Sequence, residues 1–239
     1  MLNLVVTSAW RPLIPRPEAE VGLRRERLLE SLRHYAHLGM FSQIYLLDSS
    51  IDDAGRDTLA ALNLPRLSVV GSPQPVTGIF QGPSYLEGLL YASVTDAFPG
   101  QSDATYVKIT GGYIVENLEQ IVRVYRDRSL EVLSFVLQNP LRTAPKFAMT
   151  SCYLLNARHW QALLSWISQR CETLRMLPLE LQYCRFLLES GCRRGVSAPY
   201  PQFDAYFSTA RTHSSSLNYQ AREWCWRLLS RLGLFTLTK

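Results

Sequence analysis

The sequence lacks the cysteine pattern of a disulfide framework or a structural zinc site. Its 239 residues include five cysteines, an odd number, and no two of them have Cys-x-x-Cys spacing. A reducing compartment is therefore expected. The chain also lacks an apolar run of about 18 residues, the minimum for a membrane span, and the apolar residues 2–6 are too few for a signal peptide. We expect a cytoplasmic protein without a transmembrane segment.

Lysine is also scarce, because only three of the 25 basic residues are lysines and the others are arginines. With 20 acidic residues, the formal net charge is +5. Guanidinium groups bind phosphate oxygens in pairs, which favours a phosphorylated or anionic-lipid partner. A modest positive charge also occurs on proteins whose ligands are uncharged, so both interpretations stay open.

Sequence motifs that identify several large classes of protein are absent. The chain has no Gly-x-Gly-x-x-Gly, no Gly-x₄-Gly-Lys-[Ser/Thr], no His-Glu-x-x-His and no Gly-x-Ser-x-Gly. These absences argue against dinucleotide oxidoreductases, P-loop enzymes, zinc peptidases and α/β-hydrolases. No cysteine has an obvious histidine partner, which argues against a thiol nucleophile. An RNP-like aromatic strand and a KH-type Gly-x-x-Gly helix pair are missing too, so we expect no nucleic-acid partner.

The order of the apolar segments predicts the fold class. Strand patterns alternate with helix patterns through roughly the first 140 residues, which predicts an α/β fold with a mostly parallel sheet and helices on both faces. The C-terminal third is richer in helix patterns. The predicted strands cover residues 2–9, 43–47, 67–70, 106–110, 130–137, 147–155 and 191–198, and the predicted helices cover residues 18–38, 52–62, 82–98, 114–125, 156–167, 172–190 and 219–235.

Polar residues lie at the C-terminal ends of three predicted strands. Ligands bind outside these ends in an open α/β sheet, so a site is expected there. The most informative segment is residues 106–115, where a strand runs into two glycines that permit positive φ or the close approach of a ligand. Hydroxyls, carboxylates and one cation at a common edge suit a phosphorylated, hydroxyl-rich ligand such as a nucleotide sugar. The predicted donor-binding residues are Thr7, Ser8, Asp48, Ser49, Lys108, Thr110, Gly111, Gly112 and Tyr113.

Several polar residues near these ends also have structural explanations. Ser50 or Asp52 could cap the helix predicted at residues 52–62. Glu87 lies in the first turn of another predicted helix, where the helix dipole stabilises a carboxylate. His159 has no second histidine or carboxylate at ligand spacing, so we interpret it as a surface or capping histidine.

Four segments, VVTSAW, LLDSS, GPSYLEGLL and YVKITGGYIVENL, follow one another in about the first half of the chain. In this order they resemble a group of bacterial GT-A-type glycosyltransferases found among enzymes of cell-surface polysaccharide and lipopolysaccharide synthesis. The hallmark of that group is Lys-Ile-Thr-Gly-Arg-Tyr, preceded by a Gly-Lys-Gly-x-x-Glu helix start. Here Gly112 replaces the arginine, and the tripeptide that begins at Gln81 replaces Gly-Lys-Gly, so two cations of the group are missing.

The resemblance implies a single GT-A-like, Rossmann-related domain over residues 1–216. It implies transfer of a sugar, in the manner of a hexosyltransferase, from a nucleotide-sugar donor to a glycan or lipid-linked acceptor. The departures leave open a noncatalytic subunit that binds nucleotide sugars or phosphoglycans. GT-A enzymes usually hold a divalent metal with Asp-x-Asp, and this motif is absent, so we expect neither a metal nor another cofactor. Lys108 would then offset the charge of the leaving nucleotide diphosphate, with Arg193 or Arg211 as helpers, while Asp103 alone is a poor metal site.

Two glutamates are candidates for proton transfer. An inverting transfer needs a carboxylate that takes the proton of the attacking acceptor hydroxyl. Glu180 lies on a later helix, where many GT-A enzymes keep a base, and we favour it for this role. Glu87 is favoured for binding the acceptor or the donor, and it stays the alternative base.

Residues 217–239 are predicted to form a separate basic, amphipathic helical element. Its pattern fits a peripheral anchor on an anionic inner membrane face, or a helix docked on the core. The apolar side would contain Trp224, Leu228, Leu229, Leu232 and Phe235, with Arg222, Arg227 and Arg231 on its flanks.

Overall fold

The computed structural model describes residues 1–11, 16–48, 50–70, 87–88, 90–91, 93–94, 98, 103–137, 145–174, 177–204, 206–207, 212–213 and 217–239. Its strands are β1 (Leu2–Ser8), β2 (Gln43–Asp48), β3 (Leu67–Val70), β4 (Thr105–Thr110), β5 (Ile114–Val115), β6 (Val132–Val136), β7 (Ala148–Asn156), β8 (Arg193–Arg194), β9 (Phe203–Asp204), β10 (Tyr206–Phe207), β11 (Thr212–His213) and β12 (Thr236–Thr238). Its helices are α1 (Glu18–His37), α2 (Asp53–Ala60), α3 (Leu118–Asp127), α4 (Ala157–Leu174), α5 (Leu179–Glu189) and α6 (Leu217–Ser230).

Eight strands form the main sheet, in the order β3-β2-β1-β4-β7-β6-β12-β8. The first four strands along the chain are parallel to one another. β7 and β12 run antiparallel to both of their neighbours. Six of the eight strands therefore run in the same direction, which confirms the predicted α/β class with a mostly parallel sheet.

Helices cover both faces of this sheet, as predicted. Side chains alternate between the two faces along a strand, so β1 directs Leu4 and Val6 into one apolar cluster and Val5 into another. The first cluster includes buried residues of α1, α2 and α3, and we call this side the α1 face. The second includes residues of α4, α5 and a helical segment around Tyr91, and we call it the α4 face. Because the central strands are buried on both faces, their sequences are almost continuously apolar.

The predicted helix at residues 114–125 begins later than expected. Ile114 and Val115 form β5, which pairs with β9 through Ile114–Asp204 and Val115–Phe203. Helix α3 begins only at Leu118. The two β-branched residues satisfy a strand as well as a helix, and the segment with which they pair is distant in sequence.

The C-terminal segment contains a strand that the sequence pattern did not reveal. Helix α6 ends at Ser230, and β12 inserts between β6 and β8 in the main sheet. The predicted strand at residues 191–198 is reduced to the two residues of β8. Within the described ranges, no helix combines the length and the apolarity needed to cross a bilayer.

Two helix starts are capped by side chains. Asp52 accepts a hydrogen bond from the Gly55 N–H at 2.9 Å, so the predicted capping by Asp52 is confirmed. At the start of α4, Asn156 Oδ1 accepts from the His159 N–H at 2.9 Å and lies 2.9 Å from the His159 ring Nδ1. His159 is buried. It therefore belongs to a capping arrangement, and the surface interpretation was wrong.

Replacing His159 with asparagine is expected to make the free energy of unfolding less dependent on pH below about pH 6.5. Burial lowers the pKa of His159 below its ordinary value of 6.5, while Glu131 opposes this and Lys239 and Arg158 reinforce it. Below that value the unfolded chain takes up a proton that the folded chain resists, so stability is lost as the pH falls from 6.5 towards the folded pKa. Denaturant unfolding between about pH 7.5 and pH 5 should show a smaller loss for the variant. Equal losses of stability in the wild type and the variant over this pH range would contradict the prediction.

Candidate functional site

The strand order reverses at β1, which creates a topological switch point between β1 and β4. The chain passes from β1 outwards through β2 and β3 and then returns to β4 on the other side of β1. Thr7 and Thr110 are register partners at the carboxyl ends of these two strands. Open α/β sheets bind ligands in the crevice at such a point. Thr7, Lys108 and Thr110 therefore lie together at the place where a ligand is expected.

Lys108 is fully buried on the α4 face, and its ammonium group has three partners. Its Nζ donates to Thr110 Oγ1 at 3.1 Å and to the Thr150 carbonyl, and it lies 3.0 Å from Glu87 Oε1. The Tyr153 ring lies beneath it, 5.9 Å from Nζ to the ring centroid. Because an ammonium has three N–H donors, these contacts use its full hydrogen-bonding capacity. An anion can bind Lys108 directly only by displacing one of them.

Glu87 is the partner of Lys108 that reaches solvent. Its side chain is 24% exposed, whereas Lys108 is 0% exposed. Glu87 Oε1 also accepts from the Tyr91 hydroxyl at 2.9 Å, and this hydroxyl lies 3.3 Å from that of Tyr153. Burial raises the pKa of both tyrosines, so they stay neutral. The ion pair is thus anchored in the core through Lys108 and partly exposed to solvent through Glu87.

Ser8 and Asp48 lie on the opposite face of the sheet from Lys108. They are register partners on β1 and β2, and side-chain alternation places Ser8 on the α1 face and Thr7 on the α4 face. The buried Asp48 accepts from the Trp10 N–H at 2.8 Å and from the N–H and hydroxyl of Ser50 at 2.7 and 2.9 Å. Burial raises its pKa, against these hydrogen bonds and one from Ser8. Asp48 therefore fastens the loop after β1 to β2, and its predicted contact with a ligand stays a prediction.

Replacing Asp48 with alanine is expected to lower the free energy of unfolding by about 2 to 4 kcal/mol, because buried donors of Trp10 and Ser50 lose their acceptor. Asp57→Ala, at an exposed position on α2, is the matched control and should change stability by less than about 0.5 kcal/mol. Urea unfolding of the three proteins measures both effects. Equal stability of the two variants would show that the Asp48 hydrogen bonds do not hold the loop.

The glycine pair after β4 is packed against α1. A Cβ on Gly111 would lie 3.0 Å from Leu28 Cδ1 and 3.0 Å from the Thr7 carbonyl oxygen. Gly112 has a φ of +80°, which side chains disfavour. The Gly111 N–H donates to Thr7 O at 2.7 Å, and the Gly112 N–H donates to Ser31 Oγ at 3.3 Å. The turn itself thus requires both glycines, and their contact with a ligand stays a prediction.

Tyr113 connects this turn to Glu180 on α5 and Arg24 on α1. Burial is the main cause that raises the pKa of Tyr113 to about 12, the charge of Arg24 lowers it, and the charge of Glu180 raises it further. The charges of both groups therefore act on the Tyr113 hydroxyl. Glu180 begins α5 and is half-buried. The structure thus brings the favoured base to the same edge of the sheet as the tip of β4.

Asp103, considered as a lone metal ligand, and Arg193, predicted as a helper of Lys108, lie elsewhere. Asp103 precedes β4, so it lies at the amino edge of the sheet, where its carboxylate is 3.9 Å from the terminal amino group. Arg193 lies on the outermost strand, opposite Thr238 at the end of β12. Neither is near the switch point, because strand pairing rather than sequence order sets their positions. The predicted contacts of Ser49 and Arg211 fall outside the described residues, as does the tripeptide that begins at Gln81.

Three charged residues near the turn were not predicted. Arg24 is half-buried, and burial, followed by the charge of Arg16, lowers its pKa. Arg27 lies 2.8 Å from Glu30 and 3.7 Å from Asp204. Asp204 reaches the turn through the pairing of β9 with β5, a long-range contact that leaves no local signal in the sequence. Arg24 and Arg27 could have been suspected, because α1 begins at the carboxyl edge of the sheet and is rich in arginine.

The three buried cysteines of the described residues are poor nucleophiles. Burial raises the pKa of Cys152 to about 12 and those of Cys184 and Cys192 to about 11. Over the part of the chain that the structure describes, no three side chains of His, Cys, Asp or Glu converge as metal ligands. The described side chains at the switch point include carboxylates, hydroxyls and cations, and metal-independent transfer stays a prediction.

No protein-family model and no curated protein matches the chain. Similar solved structures include the galactosyltransferase LgtC in complex with donor and acceptor sugar analogues, at 10% identity and a TM-score of 0.48, covering 77% of this chain and 70% of that one. HddC from Yersinia pseudotuberculosis, complexed with GMP-PN, has 14% identity and a TM-score of 0.42, with 67% and 79% covered. Mannose-6-phosphate isomerase from Helicobacter pylori has 8% identity and a TM-score of 0.39, with 72% and 79% covered. Similarities of this size assign neither a family nor a function to the chain.

Proposed function

We propose that the chain is a GT-A-like glycosyltransferase that moves a sugar from a nucleotide donor to a glycan or lipid-linked acceptor in surface polysaccharide synthesis, without a divalent metal. The proposal rests on one observation. At the switch point of the sheet, a fully buried cation, Lys108, is paired with a carboxylate, Glu87, that is open to solvent on one side. The sequence segments around both residues also resemble those of bacterial GT-A enzymes.

The donor diphosphate would take the place of the Glu87 carboxylate at Lys108. Phosphate oxygens and carboxylate oxygens are equivalent partners for an ammonium group. During the exchange Lys108 keeps its bonds to Thr110 and Thr150, so its position is fixed before the ligand arrives. A buried cation held in this way stabilises negative charge more strongly than one in water. Glu87 would then be free to contact a sugar hydroxyl of the donor or acceptor.

The transfer itself requires one proton acceptor and one group that stabilises the leaving diphosphate. The acceptor hydroxyl attacks the anomeric carbon, the bond from this carbon to the diphosphate oxygen breaks, and the electron pair leaves with the diphosphate. Lys108 offsets the resulting charge. Glu180 takes the proton of the attacking hydroxyl. Thr7 and Thr110 provide neighbouring hydroxyl contacts at the ends of β1 and β4.

A thermal-shift panel of UDP-, CMP- and GDP-linked sugars tests this proposal. At least one donor should raise the melting temperature, and the shift should be the same in EDTA and in magnesium or manganese. A donor at a hundred times its Kd stabilises a protein by about 2.7 kcal/mol. If no member of the panel shifts the melting temperature, the proposal is wrong. A shift that occurs only with added metal would overturn its metal-independent part.

A second candidate is a noncatalytic subunit that binds nucleotide sugars or phosphoglycans. It is favoured by the position of Gly112, where the resembling enzymes have an arginine that would add a second cation. Its φ of +80° belongs to a backbone conformation that an arginine adopts only with strain. This candidate predicts that a donor binds without release of free nucleotide, in the presence or absence of glycan acceptors. A coupled assay for nucleotide release separates the two functions.

A further inference from the structure

Helix α6 and the turn after it expose a stripe of large apolar side chains. Trp224, Leu228 and Leu232 are 66%, 48% and 69% exposed. Trp224 and Leu228 are four residues apart and lie on one side of the helix, and Leu232 lies in the turn after it. A single exposed leucine is common on protein surfaces, whereas three large exposed apolar side chains in one short segment mark a candidate contact surface. We call these three residues the apolar stripe.

The opposite side of α6 already attaches this segment to the core. Trp226 packs against the core with its ring centroid 5.2 Å from that of Tyr200, and Leu229 packs on the α4 face. Phe235 lies beyond the helix and is buried. The sequence pattern placed Leu229 and Phe235 on the same side as the apolar stripe, and the structure separates them. Docking of α6 on the core therefore leaves the side chains of the apolar stripe exposed.

The charges around the apolar stripe favour an anionic lipid surface. Arg231 is exposed and immediately precedes Leu232. Residues 217–232, which contain α6 and the apolar stripe, include three arginines and one carboxylate, that of Glu223. A row of Trp and Leu bordered by basic residues lies stably at the boundary between headgroups and acyl chains, with the cations contacting anionic lipid. We propose that the apolar stripe seats the protein on an anionic bilayer.

This attachment would turn the candidate site towards the membrane. Strand β12 follows α6 and enters the sheet at its carboxyl edge, where Thr236 pairs with Phe135 near the end of β6. β12 is three strands from β4, which corresponds to roughly 14 Å between Thr236 and Thr110 along this edge. Phe147, 39% exposed, precedes β7 at the same edge. A lipid-linked molecule could thus reach the switch point without leaving the bilayer surface.

Flotation with vesicles that contain no glycolipid tests the attachment separately from the proposed function. The full chain should float with phosphatidylcholine vesicles that contain phosphatidylglycerol. The variant Trp224→Ser/Leu228→Ser/Leu232→Ser should lower the partition coefficient at least about a hundredfold, because three apolar anchors are lost. Its fold should be unchanged, since the replaced side chains lie in solvent. Arg231→Glu should reduce binding to anionic vesicles about tenfold and leave binding to neutral vesicles unchanged.

Leu188→Ser is the matched control, because Leu188 is an exposed leucine at the end of another helix, 41% exposed. It should keep partitioning within about twofold of the wild type, whereas Leu232→Ser should reduce it about tenfold. Failure of the wild type to float, or equal flotation of the triple variant, would overturn the inference. So would a concentration-dependent dimer that the triple variant loses, because the apolar stripe would then bind a second copy of the chain.

Discussion

Replacing Lys108 with methionine is expected to lower donor affinity about a hundredfold, or about 2.7 kcal/mol, the worth of a charge-assisted hydrogen bond in a dry site. Methionine is unbranched and of similar length, so it removes the charge and keeps most of the packing. Donor binding by calorimetry, at constant ionic strength in EDTA, measures the effect. Transfer should fall at least as far, because the leaving diphosphate carries more charge in the transition state than in the ground state.

The same variant should also be less stable, which must be separated from the loss of binding. Removing one partner of a buried ion pair leaves the other uncompensated, and we expect a loss of about 2 to 3 kcal/mol because Glu87 reaches solvent. Lys108→Met/Glu87→Gln should recover at least half of this stability and still fail to bind the donor. If the double variant binds as the wild type does, Lys108 is a structural residue and not a donor ligand.

Replacing Glu180 with glutamine is expected to reduce kcat by about 10² to 10⁴, the usual contribution of a general base. Donor affinity should change by less than about twofold, because glutamine keeps the shape and the hydrogen-bonding oxygen of the side chain. The charge of the wild-type carboxylate acts on Tyr113, the residue that follows the turn after β4. Single-turnover transfer measures the chemical step separately from product release.

Two further glutamine variants serve as comparisons for the Glu180 variant. Glu119→Gln replaces a first-turn glutamate of α3 and should leave kcat unchanged, which controls for a general effect of lost helix-terminal charge. Glu87→Gln should raise KM more than it lowers kcat if Glu87 binds the sugar. A larger loss of kcat in Glu87→Gln than in Glu180→Gln would reverse the two roles and assign the base to Glu87.

The local part of the fold could be predicted from the sequence, and the long-range part could not. Helix α1 and strands β1 and β3 are found close to their predicted bounds, since buried strands and amphipathic helices have strong periodic patterns. β5 and β12 were missed, because strands of two or three residues have no period to detect. Their partners, β9 and β6, are far away in sequence, since Ile114 pairs with Asp204 and Thr236 pairs with Phe135, and only the folded sheet reveals such pairings.

The candidate site was likewise predictable in position and less so in arrangement. The polar tips of β1, β2 and β4 mark the carboxyl edge of the sheet, which sequence order alone indicates. The sequence could not show that Asp48 lies on the opposite face of the sheet from Lys108. Nor could it show that the Asp48 carboxylate already accepts hydrogen bonds from Trp10 and Ser50. Nor could it show that Glu87 pairs with Lys108, because that contact depends on how a later helix packs over the strand.

A crystal structure of the wild-type chain with a bound nucleotide sugar tests the central claim most directly. We expect diphosphate oxygens within hydrogen-bonding distance of Lys108 Nζ, with the Glu87 carboxylate moved away from it and no metal ion between the diphosphate and the protein. Density for the nucleotide away from the switch point, or an undisturbed Lys108–Glu87 pair in the donor complex, would contradict it.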